Sequence, residues 1–257
     1  MLSIGVIVAN RNNGRYLVQC LESILQQSLR PEQIIVADDA STDDSLKVLE
    51  PYLRDGAVML VRNEARQGVA ATRQLAINRS ESKYITTLDS DDFYFSKDKL
   101  ASEADMIGTK GGRIAFSDVM RVDELGQVIG RVSRTRKIRE GDLSFRIRHL
   151  SGFIPRDYLV SREDYLAAGG FDTSLRIYED WDLKIRLSRK CTWHYSHTIG
   201  TAYRDNREGL SRAPLPEHIK TMRSIFSKYS APHGMRRALS MARFFVYHSI
   251  YLRRLAV

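Results

Sequence analysis

Two aspartates separated by one residue, Asp89-Ser90-Asp91, with Asp92 directly after them, close the apolar run Tyr84–Leu88. In extended backbone alternate side chains share a face, so Asp89 and Asp91 project to one side. Two hard oxygen ligands on one face suit Mg2+ or Mn2+ with a diphosphate completing the shell, which is chemistry for handling nucleotides. The same letters also make an ordinary solvated turn. A second acidic cluster, Asp38-Asp39-Ala40-Ser41-Thr42-Asp43-Asp44, follows the apolar run Gln33–Ala37 and shifts the balance toward a site. A third pair, Glu179-Asp180, opens a helical pattern over Tyr178–Arg189. A carboxylate there can take a proton from an attacking hydroxyl. Acidic residues are also simply favoured at the positive end of a helix.

Such groups act together only if the chain carries them to one place. Strands are predicted at residues 3–9, 33–37, 57–62 and 84–88, with helices at 16–27, 45–53 and 69–79 between them. This alternation predicts a mostly parallel sheet flanked by helices, in which ligands bind beyond the carboxyl ends of the strands. Two acidic clusters stand at such ends. After Asp92 the rhythm breaks: a strand at 114–122, a hairpin partner at 128–132, helices at 161–167 and 178–189, and a strand-like stretch Cys191–His197. His194 and His197 receive no role.

The chain has 257 residues, 43% of them apolar, enough for a substantial core and against a disordered chain. Cys20 and Cys191 form no CxxC pair, which excludes a disulfide scaffold and fits a reducing compartment. No apolar run is long enough to span a bilayer, and the start, MLSIGVIVAN, reads as a core strand and not a secretory leader, so the expected location is the cytoplasm. The net charge of +9 is unevenly placed: residues 212–257 hold nine Lys/Arg against one Glu, and residues 131–148 hold seven against two acidic residues. Basic blocks attract nucleic acid, anionic lipid or phosphorylated substrates alike.

Four stretches, SIGVIVANRNN (3–13), IIVADDASTDD (34–44), YITTLDSDDF (84–93) and GGFDTSLRIYEDWDLKIRL (169–187), occur in an order and spacing that resembles the family 2 glycosyltransferases of GT-A fold, over residues 1–212. The resemblance implies a Rossmann-like GT-A fold with a helical C-terminal tail, and an inverting transfer of a sugar from a nucleotide-sugar, expected to be a UDP-sugar, to a hydroxyl of a saccharide or lipid-linked acceptor. Bacterial surface polysaccharide or glycolipid synthesis is the implied setting. Donor binding would fall to Ala9, Asn10, Arg11, Asp38, Asp39, Gly68, Arg73, Asp89, Ser90, Asp91 and Arg204. Within that set Asp39 would read the base, Asp38 would support its loop, and Asp91 with Asp89 would hold Mn2+ or Mg2+. Asp180 would be the base and Glu179 would position the acceptor, with Gly170 and Trp181 on the acceptor side. Structural readings stand beside several of these: an ion pair for Arg73, core packing for Trp181, and loop-building for Asp38 and Asp43. Gln74 stands where the family usually has Asn. Arg204 or Arg207, ahead of Gly209–Arg212, would reach the diphosphate.

The expected division is a catalytic domain at 1–212 and a basic helical extension at 213–257. On a helical wheel Arg236, Arg243 and Arg254 gather on one side of residues 236–254 and Met241, Phe245 and Leu252 lie on the other. That suits either an anionic membrane surface, making the protein peripheral on its inner face, or packing on the domain. Two other classes are weighed. A nucleotidyltransferase would carry a Gly-rich, Arg/Lys-containing phosphate loop after the first strand, and Asn10–Gly14 has neither the glycines nor the lysine. A nucleic-acid-binding protein would use the basic blocks but leave the acidic edge without purpose, so no nucleic acid is expected.

Overall fold

Strand β1 (Ile4–Asn10) is buried along its whole length, as a run of apolar residues is when both faces of a sheet are covered. A computed structural model of the chain describes residues 2–132, 140–206 and 213–229. β1 pairs in parallel with β2 (Gln33–Asp38) on one side and β4 (Tyr84–Asp89) on the other, and β3 (Met59–Arg62) extends β2. The crossovers are helices α1 (Gly14–Leu25), α2 (Ser45–Arg54) and α3 (Val69–Arg79). This is the alternation that the sequence predicts.

The second half adds β5 (Phe93–Tyr94), α4 (Lys99–Lys110), β6 (Ile114–Val122), β7 (Val128–Val132), α5 (Ser144–His149), β8 (Leu159–Ser161), α6 (Arg162–Ala167), α7 (Glu179–Leu187), β9 (Trp193–Arg204) and α8 (Leu215–Tyr229). One sheet runs β3-β2-β1-β4-β8-β6-β9-β5, with β7 on β6. Most paired residues lie in parallel ladders, while the short β8 is antiparallel to both β4 and β6 and joins the two halves. β5, α4, α5 and β8 have no counterpart in the sequence reading. β8 has only three residues, too few for an alternation to show. α4 buries Lys99 and Glu103 as an ion pair at 2.9 Å, so its inner face does not read as apolar.

Alternation along each strand sorts the core into two layers. Ile4, Val6, Val8, Ile34 and Val36 face α1, α2 and α4, whereas Ile7, Ile35 and Ala37 face α3, α7 and α8. Met222, Ile225, Phe226 and Tyr229 seat α8 in the second layer, so this part of the expected extension packs on the sheet's helical cover. Cys20 and Cys191 are both free and buried. Among the described residues no helix is long and apolar enough to cross a membrane. Residues 236–254, Arg207, Gly209–Arg212 and part of the 131–148 basic block lie outside the described residues. The expected boundary after 212 adjoins them.

A candidate donor and catalytic site

Register sets the site. Asn10 pairs with Asp38 and Ala9 with Asp89, so the carboxyl ends of β1, β2 and β4 stop side by side. Asn10 donates to Asp38 at 2.9 Å and to Ser41 at 3.2 Å, and Asp38 accepts from the Ser41 N–H at 2.9 Å. Asp38 is thus the brace of the loop. Asp43 accepts from the N–H groups of Gly14 and Ser45 and joins the starts of two helices. Arg11 donates to the Asp39 carbonyl at 2.6 Å.

Asp39 turns toward α3. Its carboxylate accepts from Asn63 at 2.9 Å, the Gln67 N–H at 2.7 Å and the Gly68 N–H at 2.9 Å. Burial acts to raise its pKa, but these donors outweigh it and hold the carboxyl below its ordinary value. Gly68 has φ +91°, a conformation that side-chain-bearing residues rarely adopt, and it brings both N–H groups onto Asp39.

Arg73, one turn further along α3, is buried and ties two loops together. One arm pairs with Glu179 at 2.6 Å and the other with Asp89. α3 is therefore the hub: the turn that leads into it holds Asp39, and its middle holds Asp89 and the Glu179-Asp180 loop. Residues from four separate stretches of chain meet through it.

Asp89, Asp91 and Asp92 each bring one carboxylate oxygen to a common point, within 4.8 Å of one another. That is close to the span of an octahedral shell with bonds of about 2.1 Å, and three hard oxygens are the donor set Mg2+ and Mn2+ take. Ser90 between them is buried and accepts from Asn13 at 3.0 Å. Asp91 accepts from Asn206 at 2.9 Å. Arg156 pairs with Asp89 at 2.9 Å and also with Asp92. The electrostatics divide the cluster. Burial and the charge of Asp89 push Asp91 up, and burial also pushes Asp92 up despite Arg156, whereas Arg156 and Arg73 overcome burial to hold Asp89 down.

The other pair divides likewise. Glu179 is buried, and burial with the neighbouring Asp180 charge raises its pKa in spite of Arg73. Asp180 keeps 25% of its side-chain surface exposed and pairs with Lys184 one turn on, at 2.7 Å. Lys184 overcomes the burial effect and holds the Asp180 carboxyl below its ordinary value. Two adjacent carboxyls with opposed shifts suit two different tasks.

Three expectations are corrected. Trp181 is wholly buried, and its indole N–H donates to the Ile147 carbonyl at 2.6 Å, so it offers no face to a sugar. Gly170 is also buried; at φ +65° it packs so closely on the Gln74 side chain that a Cβ would clash. Gln74 itself joins α3 to the 169–171 turn, accepting from the Tyr165 hydroxyl at 2.6 Å and the Phe171 N–H at 3.1 Å. Arg204 is committed elsewhere: it donates to the carbonyls of Asp91 at 2.7 Å and Glu124 at 2.7 Å and lies over the Tyr16 ring at 4.4 Å. It shapes the acidic loop from behind. Arg156, Lys184 and Asn206 were not anticipated. Only Lys184 leaves a signal, through its spacing of four from Asp180 on one helix.

Known proteins align with this arrangement. The succinoglycan biosynthesis protein ExoU of Rhizobium meliloti is 32% identical over 217 residues, covering 77% of this chain and 60% of its own. An Escherichia coli enzyme, the UDP-Glc:alpha-D-GlcNAc-diphosphoundecaprenol beta-1,3-glucosyltransferase WfaP, is 27% identical over 115 residues, 45% of each chain. The chain spans only about 30% to 60% of the length of the first curated relatives it matches. Staphylococcus aureus TarS 1-349, solved in complex with UDP-GlcNAc, superposes with a TM-score of 0.74 at 17% identity, over 96% of this chain and 71% of that one, and shares the GT-A fold. Residues 3–167 match the family described as Glycosyl transferase family 2, and with its motifs gathered on one sheet edge the chain belongs to that glycosyltransferase family.

Proposed function

We propose that the chain is an inverting, divalent-metal-dependent transferase moving a sugar from a UDP-sugar to a hydroxyl of a saccharide or lipid-linked acceptor in surface polysaccharide or glycolipid synthesis. The observation that carries this is the hub on α3, where Arg73 joins Asp89 of the diphosphate edge to Glu179 beside Asp180. Donor and acceptor chemistry are thereby held in one rigid frame, the condition for direct displacement.

In this reading Asp39, kept ionised by its N–H donors, accepts the ring N–H of uracil. Ala9, Asn10 and Arg11 line the same edge. Asp91, with Asp89 and Asp92 in reach, would hold Mg2+ or Mn2+, which when bound supplies positive charge to the departing diphosphate. Asp180, a quarter exposed and held ionised by Lys184, takes the acceptor hydroxyl's proton, while Arg73 holds Glu179 beside it. The UDP-GlcNAc complex of TarS favours a uridine donor, and the name of WfaP favours a lipid-linked diphosphate acceptor. Such an acceptor would bring the protein to the inner membrane face, with 236–254 the contact.

Thermal shift against nucleoside diphosphates with Mn2+ or Mg2+ tests base and metal together. UDP with metal is expected to raise the melting temperature of the wild type and of Asp180→Asn, but not of Asp91→Asn. Asp180→Asn should lose roughly 100-fold or more in turnover. Transfer near the wild-type rate by that variant refutes its role.

A further inference from the structure

Arg156 stands at the centre of the acidic cluster. Its Nε lies 2.9 Å from one Asp89 oxygen, and one terminal nitrogen pairs with Asp92. The other Asp89 oxygen is taken by Arg73, and the other Asp92 oxygen accepts from the Arg204 N–H at 2.8 Å. The Arg156 guanidinium rests on the Tyr203 ring at 4.3 Å, and its backbone N–H donates to the Tyr203 hydroxyl at 2.9 Å. Yet 31% of its side-chain surface stays open, whereas Arg73 is only 2% exposed and tied at both ends.

An arginine cannot shed its charge near neutral pH. A divalent ion drawing on the same oxygens of Asp89 and Asp92 therefore competes with Arg156 for them and repels its charge, and of the two arginines only Arg156 has room to leave. A displaced guanidinium remains beside the ion, where its planar fork matches a phosphate's oxygens.

Resting on the metal assigned under the proposed function, we propose that Arg156 is the cluster's internal counter-ion: it keeps Asp89 and Asp92 together while the site is empty, and passes to the donor's diphosphate when ion and nucleotide arrive. Metal and nucleotide then bind as a linked pair. The ion alone must evict Arg156 with nothing to receive it; the ion with a diphosphate supplies the new partner. By reciprocity each ligand tightens the other.

Free Mn2+ measured by electron paramagnetic resonance during titration of the full chain tests this, with wild type, Arg156→Gln and Arg156→Lys, each with and without UDP. Without nucleotide, Arg156→Gln is expected to bind Mn2+ roughly tenfold more tightly than wild type, the scale on which a nearby like charge acts at such a site. With saturating UDP that advantage should vanish or reverse, and Arg156→Lys should fall between. A purely structural arginine would give weaker metal binding on removal, not stronger. Mn2+ affinity of Arg156→Gln within about twofold of wild type, below the usual range of coupled sites, overturns the exchange. If that variant does not fold, Arg156→Lys decides by the same criterion. Wild type that fails to take up Mn2+ even with UDP refutes the metal reading and the exchange together, whereas normal wild-type uptake with unchanged variants refutes the exchange alone.

Discussion

Replacing Arg73 by methionine removes the join between the donor edge and the catalytic loop. The side chain is 2% exposed and its two partners differ: Asp89 keeps Arg156 and is partly open to water, while Glu179 is buried with Arg73 as its ion-pair partner. Breaking a buried pair from one side costs about 3–5 kcal/mol, and because Asp89 is relieved by Arg156 the lower end applies, about 3 kcal/mol. For a chain of this size that is a fall in melting temperature of roughly 6–12 °C. The pH dependence follows from Glu179. Its folded-state pKa already stands above the ordinary value, and losing Arg73 raises it further. A carboxyl raised on folding stabilises the fold while protonated and loses that contribution as pH climbs through the folded pKa. The variant's deficit should thus be smallest in acid, where Glu179 is protonated, and grow as pH rises through its folded pKa. Calorimetric melting of wild type, Arg73→Met, Glu179→Gln and the double variant measures it, and the double variant should recover much of the loss. A melting point unchanged by Arg73→Met, or a deficit that shrinks with rising pH, refutes the hub.

Lys184→Met should raise the Asp180 carboxyl from its depressed value, moving the acid limb of the turnover profile to higher pH. The sign follows because the base works only when ionised; an unmoved limb would remove Lys184 as its counter-ion. Trp181→Phe should cost about 2 kcal/mol through the lost bond to Ile147 and the hole left in the core, leaving the acceptor KM unchanged. A raised KM with an unchanged melting temperature would return Trp181 to the acceptor side.

Much of the site is legible as clusters. Asp38, Asp89 and Glu179 each stand at the end of an element whose periodicity is plain, so their placement at strand or helix termini follows from the chain alone. Trp181 and Gly170 mislead because adjacency in sequence to Glu179-Asp180 says nothing about which way a helix turns a neighbour; one residue along α7 rotates the side chain by about 100° into the core. Arg204 misleads for a similar reason. Its charge is visible, but the carbonyls of Asp91 and Glu124 that absorb it belong to loops 113 and 80 residues earlier. Arg156 lies on no motif, and its charged neighbour Asp157 gives no hint of the acidic loop 64 residues earlier that it serves.

The one-dimensional pattern of this chain determines its strands and helices, its parallel first half and the acidic residues at the strand ends, because periodicity and turn chemistry act over a few residues. The folded chain alone decides which cations answer those acids. Arg73, Arg156 and Lys184 acquire their roles from burial and from partners up to 106 residues away, and Coulomb interactions of that kind depend on distance in space. The sign of each carboxyl's pKa shift, and with it the division of Glu179 from Asp180, follows from that packing.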